Sequence, residues 1–312
     1  MSKPKKQHYV PQVYLRNFSY ENKKLYRLFA FNKALNKIIS TNVEDIASER
    51  NFYTLEKADN KYEWENFYAE NLEPFMGKII KDIIKKCDLR LFQKNAIILN
   101  EETKFALSII IVYQMLRGKH ARSYQRKIFD EKAPEVMKDV KKRFLGKINK
   151  EIDEQIVNFK YDEEIFKLIS RNVVLDSERI INFAKAFFNR SWLFIKIDGN
   201  SEFVTSDDPI VIMNKDTLDV TPFNNGIGRN NTIIYYPLSS KLILAMYPNH
   251  MLFGAIQNWD RTLTLIDEKK ENNFIFTMNS KQLDHCSNYI YSSNRETIVE
   301  IKKVQQNTIL NK

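Results

Sequence analysis

The stretch DSERIINFAKAFFNRSWLFIKIDGNSEFVTSDDPIVIM, residues 176–213, holds the point at which the chain changes period. Up to Phe188 the apolar residues Ile180, Ile181, Ala184, Phe187 and Phe188 return every three or four positions behind Asp176, which predicts a helix with a side-chain cap. Beyond Arg190 the run Trp192 to Ile197 is strand-like. Asp198-Gly199-Asn200 is the kind of turn that joins antiparallel strands, so Phe203 to Thr205 is expected to fold back on that run. Ile210 to Met213 follows as a further strand. Helix therefore gives way to strand within one continuous chain, and that succession argues for the α+β class.

Outward from this point the two halves keep their character. Downstream, Thr232 to Tyr236, Leu242 to Tyr247, Thr262 to Ile266 and Tyr289 to Ser292 read as strands, with Pro237-Leu238-Ser239-Ser240 as a turn and Asn279 as the cap of a short helix. Upstream, Asn100 followed by Glu101 and Glu102 starts a helix that runs to Gly118, apolar nearly all round from Phe105 to Tyr113 and so deeply buried. Phe75, Met76, Ile79, Ile80, Ile83 and Ile84 share one helical face, and Pro74 starts or kinks that helix. The first fifty residues read as loop, interrupted by strands Leu25 to Phe31 and Lys37 to Thr41 about a turn at Asn32 to Asn36. The expected architecture is a single α+β domain, 1–312: a short N-terminal β-hairpin in 1–58, a helical middle in 59–190, and a C-terminal antiparallel β-sheet in 191–312.

Composition narrows the function classes. Only 7 glycines among 312 residues, and no GxGxxG, speak against a dinucleotide-binding doubly wound sheet. Two cysteines, Cys87 and Cys286, do not make a disulfide framework. The start, Met1-Ser2-Lys3-Pro4-Lys5-Lys6, has no apolar run behind it and no stretch is apolar enough to span a bilayer, so a cytoplasmic protein without membrane association is expected. The formal charge of +10 favours polyanionic partners. Much of it sits in 117–150, where Arg117, Lys119, Arg122, Arg126, Lys127, Lys132, Lys138, Lys141, Lys142, Arg143, Lys147 and Lys150 face only Asp130, Glu131, Glu135 and Asp139. Tyr124, Phe129 and Phe144 interleave this segment as stacking residues do in single-strand binders, although a solvated helical face has the same composition.

Three clusters can carry chemistry. His8, followed by Tyr9-Val10-Pro11-Gln12, sits on a segment that proline holds extended, so the imidazole can serve as general base and Gln12 can orient a substrate or water. Equally, Tyr9, Val10, Tyr14, Leu15 and Phe18 can anchor the segment on the core. The second cluster is Thr205-Ser206-Asp207-Asp208-Pro209: Ser206 as a substrate contact, Asp207 fixing an imidazole, and Asp207 with Asp208 as ligands of a candidate divalent metal. Strand alternation lets only one of the two acids face a given site, and an Asx or Ser turn before Pro209 uses the same residues. Gln114 and Arg117, at the end of a buried helix, can clamp a phosphate or carboxylate; the structural alternative is a salt bridge to Glu70 or Glu73. Asp260 with Asp267-Glu268-Lys269-Lys270 has the outline of a metal-nuclease pattern, one that chance supplies freely in so charged a chain. His120, His250 and His285 stand at no metal-ligand spacing from one another.

In these clusters the chain resembles a bacterial family of unknown function marked by an N-terminal His-Tyr-Val-Pro-x-x-Tyr/Leu-Leu-x-x-Phe, here His8 to Phe18, and by a late Thr-Ser-Asp-x-Pro, here Thr205 to Pro209. Asn51-Phe52-Tyr53 and an acidic helix around Glu73 agree as well. The resemblance implies that His8, Asp207 and Pro209 are shared features; it brings no activity with it.

Two functions fit these readings. One is a nuclease-like hydrolase acting on nucleic acid in bacterial antiviral defence, with His8 as base, Asp207 as its partner or metal ligand, Arg117 holding phosphate and the basic segment steering the polyanion. The other is a noncatalytic nucleic-acid-binding or regulatory protein in which both motifs are structural. Convergence of His8, Arg117 and Asp207 on one cleft would favour the first.

Overall fold

The change of period at Arg190 is also a change of architecture. In the computed structural model, which describes residues 6–89, 96–144, 163–221, 225–250 and 253–310, helices fill the middle of the chain and the strands on either side of them form the sheets. The class is α+β.

The N-terminal part begins with β1 (Lys6–His8) and a helical turn, α1 (Gln12–Leu15), followed by β2 (Tyr20–Asn22), β3 (Leu25–Asn32), β4 (Lys37–Asn42) and β5 (Ser48–Arg50). The expected β3–β4 hairpin is present, with Arg27 opposite Asn42 and Asn32 opposite Lys37. The segment before it is less loop-like than its composition suggests, because β1 pairs with β5, His8 opposite Ser48. Then come α2 (Glu63–Asn66), a π-helical turn at Phe67–Leu72, and α3 (Glu73–Leu89), one continuous helical run in which Pro74 stands directly after the π-helical turn.

Helix α4 (Glu101–Arg117) starts as expected: the Asn100 side chain accepts from Thr103 N at 2.9 Å. Its buried Leu107, Ile110 and Ile111 contribute about 1.5–3 kcal/mol each to the core. Gly118 separates it from α5 (Lys119–Phe144), which carries the described half of the basic segment; α6 (Glu163–Leu175) and α7 (Ser177–Phe188) follow, Asp176 capping α7 through Arg179 N at 3.0 Å. Lys147 and Lys150 of the expected basic arm lie outside the described residues, as do the side chains of Lys141, Lys142, Arg143 and Phe144.

The C-terminal part supplies β6 (Ser191–Asp198), β7 (Thr205–Ser206), β8 (Val211–Asn214), β9 (Thr232–Ser239), β10 (Leu242–Tyr247), α8 (Gly254–Gln257), β11 (Thr262–Asp267), α9 (Asn272–His285), β12 (Tyr289–Ser292) and α10 (Arg295–Leu310). One five-stranded sheet runs β11-β6-β10-β9-β8, antiparallel except for the parallel pair β11–β6. The other joins β2, β3, β12 and β7 with β4 beside β3, so the N-terminal hairpin and the C-terminal strand β12 share a sheet.

Three local expectations fail, each for a tertiary reason. Asp198-Gly199-Asn200 does not make a hairpin: β6 pairs with β10 and β11, and the turn instead receives Glu268, whose carboxylate accepts from Asn200 N and Ser201 N. Gly199, at φ +139°, leaves the room that Glu268 fills. Pro237 lies inside β9 rather than in a turn; the ladder to β10 carries a bulge there and β8 stops short of it, so its missing N–H breaks no β8 bond. Asn279 is interior to α9, which begins at Asn272, and its side chain is spent on the β7 segment, accepting from Val204 N at 2.9 Å and donating to Glu202 O at 2.8 Å.

Candidate functional site

The two sequence motifs meet in space, through side chains other than the expected pair. Tyr14, fully buried, places its hydroxyl 2.7 Å from Thr205 Oγ1 and 2.7 Å from the Pro237 carbonyl, bolting the N-terminal motif to the late one and to β9. Tyr9 lies beside Asp207, whose charge, after burial, is the main influence holding the phenol protonated.

His8 itself is half-buried. Its carbonyl accepts from Arg117 Nη2, its Nε2 has no partner among the described residues, and the charges bearing on its ring are Glu73, Arg117 and Lys6; burial is the largest influence and lowers its pKa. Arg117 is 2% exposed, paired to Glu73 at 3.0 Å with its guanidinium over the Tyr68 ring at 4.3 Å. This is the structural pairing that the helix-end position allowed. Gln12 is half-buried at the start of α1. Gln114, 1% exposed, gives an Nε2 hydrogen bond to Tyr9 O at 3.4 Å.

The late motif is laced to α9 and the loop after it. Ser206 Oγ lies 2.8 Å from both Gln282 Oε1 and the Asp208 carbonyl, and Gln282 Nε2 donates to Pro209 O at 2.8 Å. Asp207, wholly buried, accepts three backbone N–H groups: Ser287 at 2.9 Å, Asn288 at 2.8 Å and Tyr289 at 3.1 Å. Burial, then the charge of Asp208, pushes its carboxyl up to about 7 against the pull of those amides. Asp208 points the other way. Its Oδ2 takes the Ser287 hydroxyl at 2.6 Å and its Oδ1 takes the His120 backbone N–H at 3.2 Å, so a loop acid caps the N-terminus of α5; burial raises its carboxyl to about 6. Gly118 makes that approach available, since a Cβ there would stand 2.4 Å from Asp208 Oδ1.

The metal expectation does not fit this donor set. The Asp207 oxygens are met by backbone N–H groups and those of Asp208 by an N–H and a hydroxyl, and among the described residues no three His, Cys, Asp or Glu side chains assemble as ligands. Asp260 is likewise committed, to the Lys104 ammonium at 3.0 Å and to Trp192 N at 2.7 Å.

What the geometry does assemble is a cleft of about 710 Å³ between α4, α5, α7, the segment 208–212 and the loop 225–229. His120, Asp208, His285 and Gln114 line it together with aromatic and aliphatic residues that include Tyr124, Phe183 and Phe187. His120 Nδ1 is 3.7 Å from Asp208 Oδ2, and its ring stands edge to face on His285 at 4.8 Å. Burial lowers the pKa of both imidazoles, that of the fully enclosed His285 to about 3, so both are neutral near pH 7. The loop wall is held from behind by Arg190, whose guanidinium donates to the carbonyls of Thr232, Met246, Ile227 and Arg229.

Of the sequence-derived candidates the cleft collects Gln114 and Asp208; His8, Gln12, Arg117, Ser206 and Asp207 are not among its lining residues. The sequence does not single out His120 and His285 because their carboxylate and imidazole partners lie far off along the chain; the local hint is only that His120 stands in the first turn of the helix that follows Gly118. The basic face is less free than its composition suggests. Arg122 and Arg126 share Glu163, Lys119 pairs with Glu49, and Lys127 and Lys132 pair within α5.

The model of a family described as "Protein of unknown function (DUF4238)" matches residues 6–296. No curated protein and no solved structure matches the chain. No helix among the described residues is long and apolar enough to cross a membrane.

Proposed function

The chain belongs to the DUF4238 family over a span that includes every residue of the cleft, and we propose that it is a hydrolase of phosphate esters in nucleotides or single-stranded nucleic acid, with His120 as general base and Asp208 as the group that orients it. The observation that carries this reading is the imidazole 3.7 Å from a buried carboxylate on the wall of a cleft of about 710 Å³, a size suited to one small ligand or one nucleotide unit.

Burial keeps His120 in the neutral form that can accept a proton. With Nδ1–H turned to Asp208, Nε2 is left to take the proton of an attacking water; the contact, longer than a hydrogen bond, tightens when substrate fills the cleft. Asp208 is itself held by the Ser287 hydroxyl and the amide at the head of α5, so its oxygen cannot drift from the ring. The formal charge of +10 and the rim cation Arg229 favour an anionic substrate. His8 with Asp207 has less support as the catalytic pair, because Asp207 is saturated by backbone donors.

Fluorescently labelled single-stranded RNA and DNA, together with bis(p-nitrophenyl) phosphate, test the reading. We expect turnover that His120→Ala and Asp208→Asn each reduce by about 10²–10⁴-fold, with His120→Ala keeping the parent's thermal midpoint. Turnover undiminished in His120→Ala, or no turnover of any of the three by the parent, overturns it. A noncatalytic binding protein is the second reading, favoured by the mostly apolar lining of the cleft; it requires binding of the same oligonucleotides that weakens with salt, without turnover.

A further inference from the structure

The residues that line the cleft differ in exposure, and the difference gives it a mouth and a floor. Tyr124, Arg179, Phe183 and Arg229 are exposed, His120 and Gln125 are half-buried, and Val112, Phe187, Pro209, Ile210 and Ile212 are buried. Charge and aromatic edges thus stand at the mouth, with hydrocarbon beneath. The buried polar side chains of the lining are turned into the protein. Gln114 Nε2 donates to Tyr9 O, the Asp208 oxygens accept from the Ser287 hydroxyl and the His120 amide, Asn225 Nδ2 donates to Asp219 O, and His285 Nδ1 lies 3.4 Å from Val220 O. A polar ligand end pushed this deep loses its water and regains few hydrogen bonds, whereas a hydrocarbon end is favoured by the same loss. The charges at the mouth are both positive. Arg229 has no carboxylate within ion-pair distance among the described residues, and Arg179 has an exposed contact with Asp176 at 3.6 Å, of a kind that holds a cation weakly.

We infer that the cleft binds a free, single-chain amphipathic anion, with its hydrocarbon chain on the buried floor and its carboxylate or phosphate head left at the mouth with Arg179 and Arg229. A volume of about 710 Å³ suits a ligand of that kind. The apolar floor supplies affinity in proportion to chain length, and the two guanidiniums supply the preference for a negative head. This goes beyond the hydrolase reading and does not rest on it, because no bond is made or broken.

Calorimetric titration of the full-length chain tests this. The probes are hexanoate, octanoate and decanoate, with octan-1-ol and octyltrimethylammonium as neutral and cationic counterparts. We expect each lengthening of the acid by two methylenes to tighten binding about tenfold, and octanoate to bind at least fivefold more tightly than octan-1-ol and more tightly still than the cation. Arg179→Glu combined with Arg229→Glu should weaken octanoate at least tenfold and leave octan-1-ol unchanged. Ile212→Trp, which fills the floor, should flatten the chain-length series; should it fail to fold, the double variant, confined to exposed positions, carries the test. Tighter binding of decyl phosphate than of decanoate assigns a phosphate head, the reverse a carboxylate, and either supports the inference. It is overturned if none of the acids binds, if affinity does not rise with chain length, if octan-1-ol binds as tightly as octanoate, if the double variant leaves octanoate unchanged, or if AMP binds more tightly than decanoate. Oligonucleotide turnover by a parent that does not bind decanoate removes this inference and spares the hydrolase reading, and decanoate binding by a parent without turnover does the opposite.

Discussion

The segment around His8 and the cleft around His120 are built from the same chemical materials, an imidazole, a carboxylate, a guanidinium and aromatic rings, and use them in opposite ways. At the N-terminus the groups are turned inward: Arg117 answers Glu73 and the His8 carbonyl, and Tyr14 answers Thr205 and Pro237. Around the cleft the corresponding groups border an open volume, with His120 loosely paired to Asp208 and Arg229 on an exposed loop. A density of reactive residue types in sequence therefore marks a knot of the fold as readily as a site. What separates the two is access rather than spare hydrogen-bonding capacity: His8 Nε2, Arg117 Nε and Arg117 Nη1 also lack partners among the described residues, but only His120 and Asp208 line the cleft.

The largest effect that can break this contrast is kinetic. If the cleft is the site, His120→Ala lowers turnover by about 10²–10⁴-fold, whereas His8→Ala changes it less than fivefold; an assay on labelled oligonucleotides that ranks the two variants the other way collapses the distinction. Next in size is a purely structural loss. Arg117→Met leaves Glu73 unmatched and the His8 carbonyl without its donor, and should cost about 3–5 kcal/mol in urea unfolding, while the refolded fraction keeps its affinity for whichever nucleotide binds. Gly118→Ala belongs to both regions, since its methyl would strike Asp208; a stability cost of about 1–3 kcal/mol together with a fall in turnover is expected, measured on the same preparation.

The smallest effect is on pH dependence. Between the ordinary carboxylate range and about 6, folded Asp208 holds a proton that its unfolded counterpart has released, so its contribution makes stability fall as pH rises. His285, lowered to about 3, does the reverse: acidification below its ordinary value protonates the unfolded ring and not the folded one, so stability falls as pH drops. The two slopes oppose each other. Asp208→Asn removes the first, and its urea midpoint should therefore drop more steeply than the parent's from pH 6 to pH 4. Parallel profiles would show that Asp208 is not held protonated there.

Local chemistry was legible wherever it was sufficient. Asn100 and Asp176 capped the helices they were expected to cap, and the β3–β4 hairpin closed at its expected turn. Signals failed where a remote partner outbid them: Glu268 took the turn that Asp198-Gly199 would have given to a hairpin, and α9 captured Asn279 for the strand segment before β7. Of the site, the sequence pointed to Asp208 and Gln114 but not to His120 or His285. No spacing rule links His120 to an acid 88 positions away, and only the folded chain brings Gly118 beneath that acid.

The Tyr14 hydroxyl has a consequence for synthesis. Its partners lie 191 and 223 positions further along the chain, so at an elongation rate of about 5–20 residues per second the N-terminal motif waits roughly 10–45 seconds on the ribosome before both exist. Through that interval Tyr9, Val10, Leu15 and Phe18, all buried in the finished protein, have no β9 or β12 to cover them. The nascent chain thus presents an apolar, aromatic segment early, and it stays open to association with other chains until its covering strands are made.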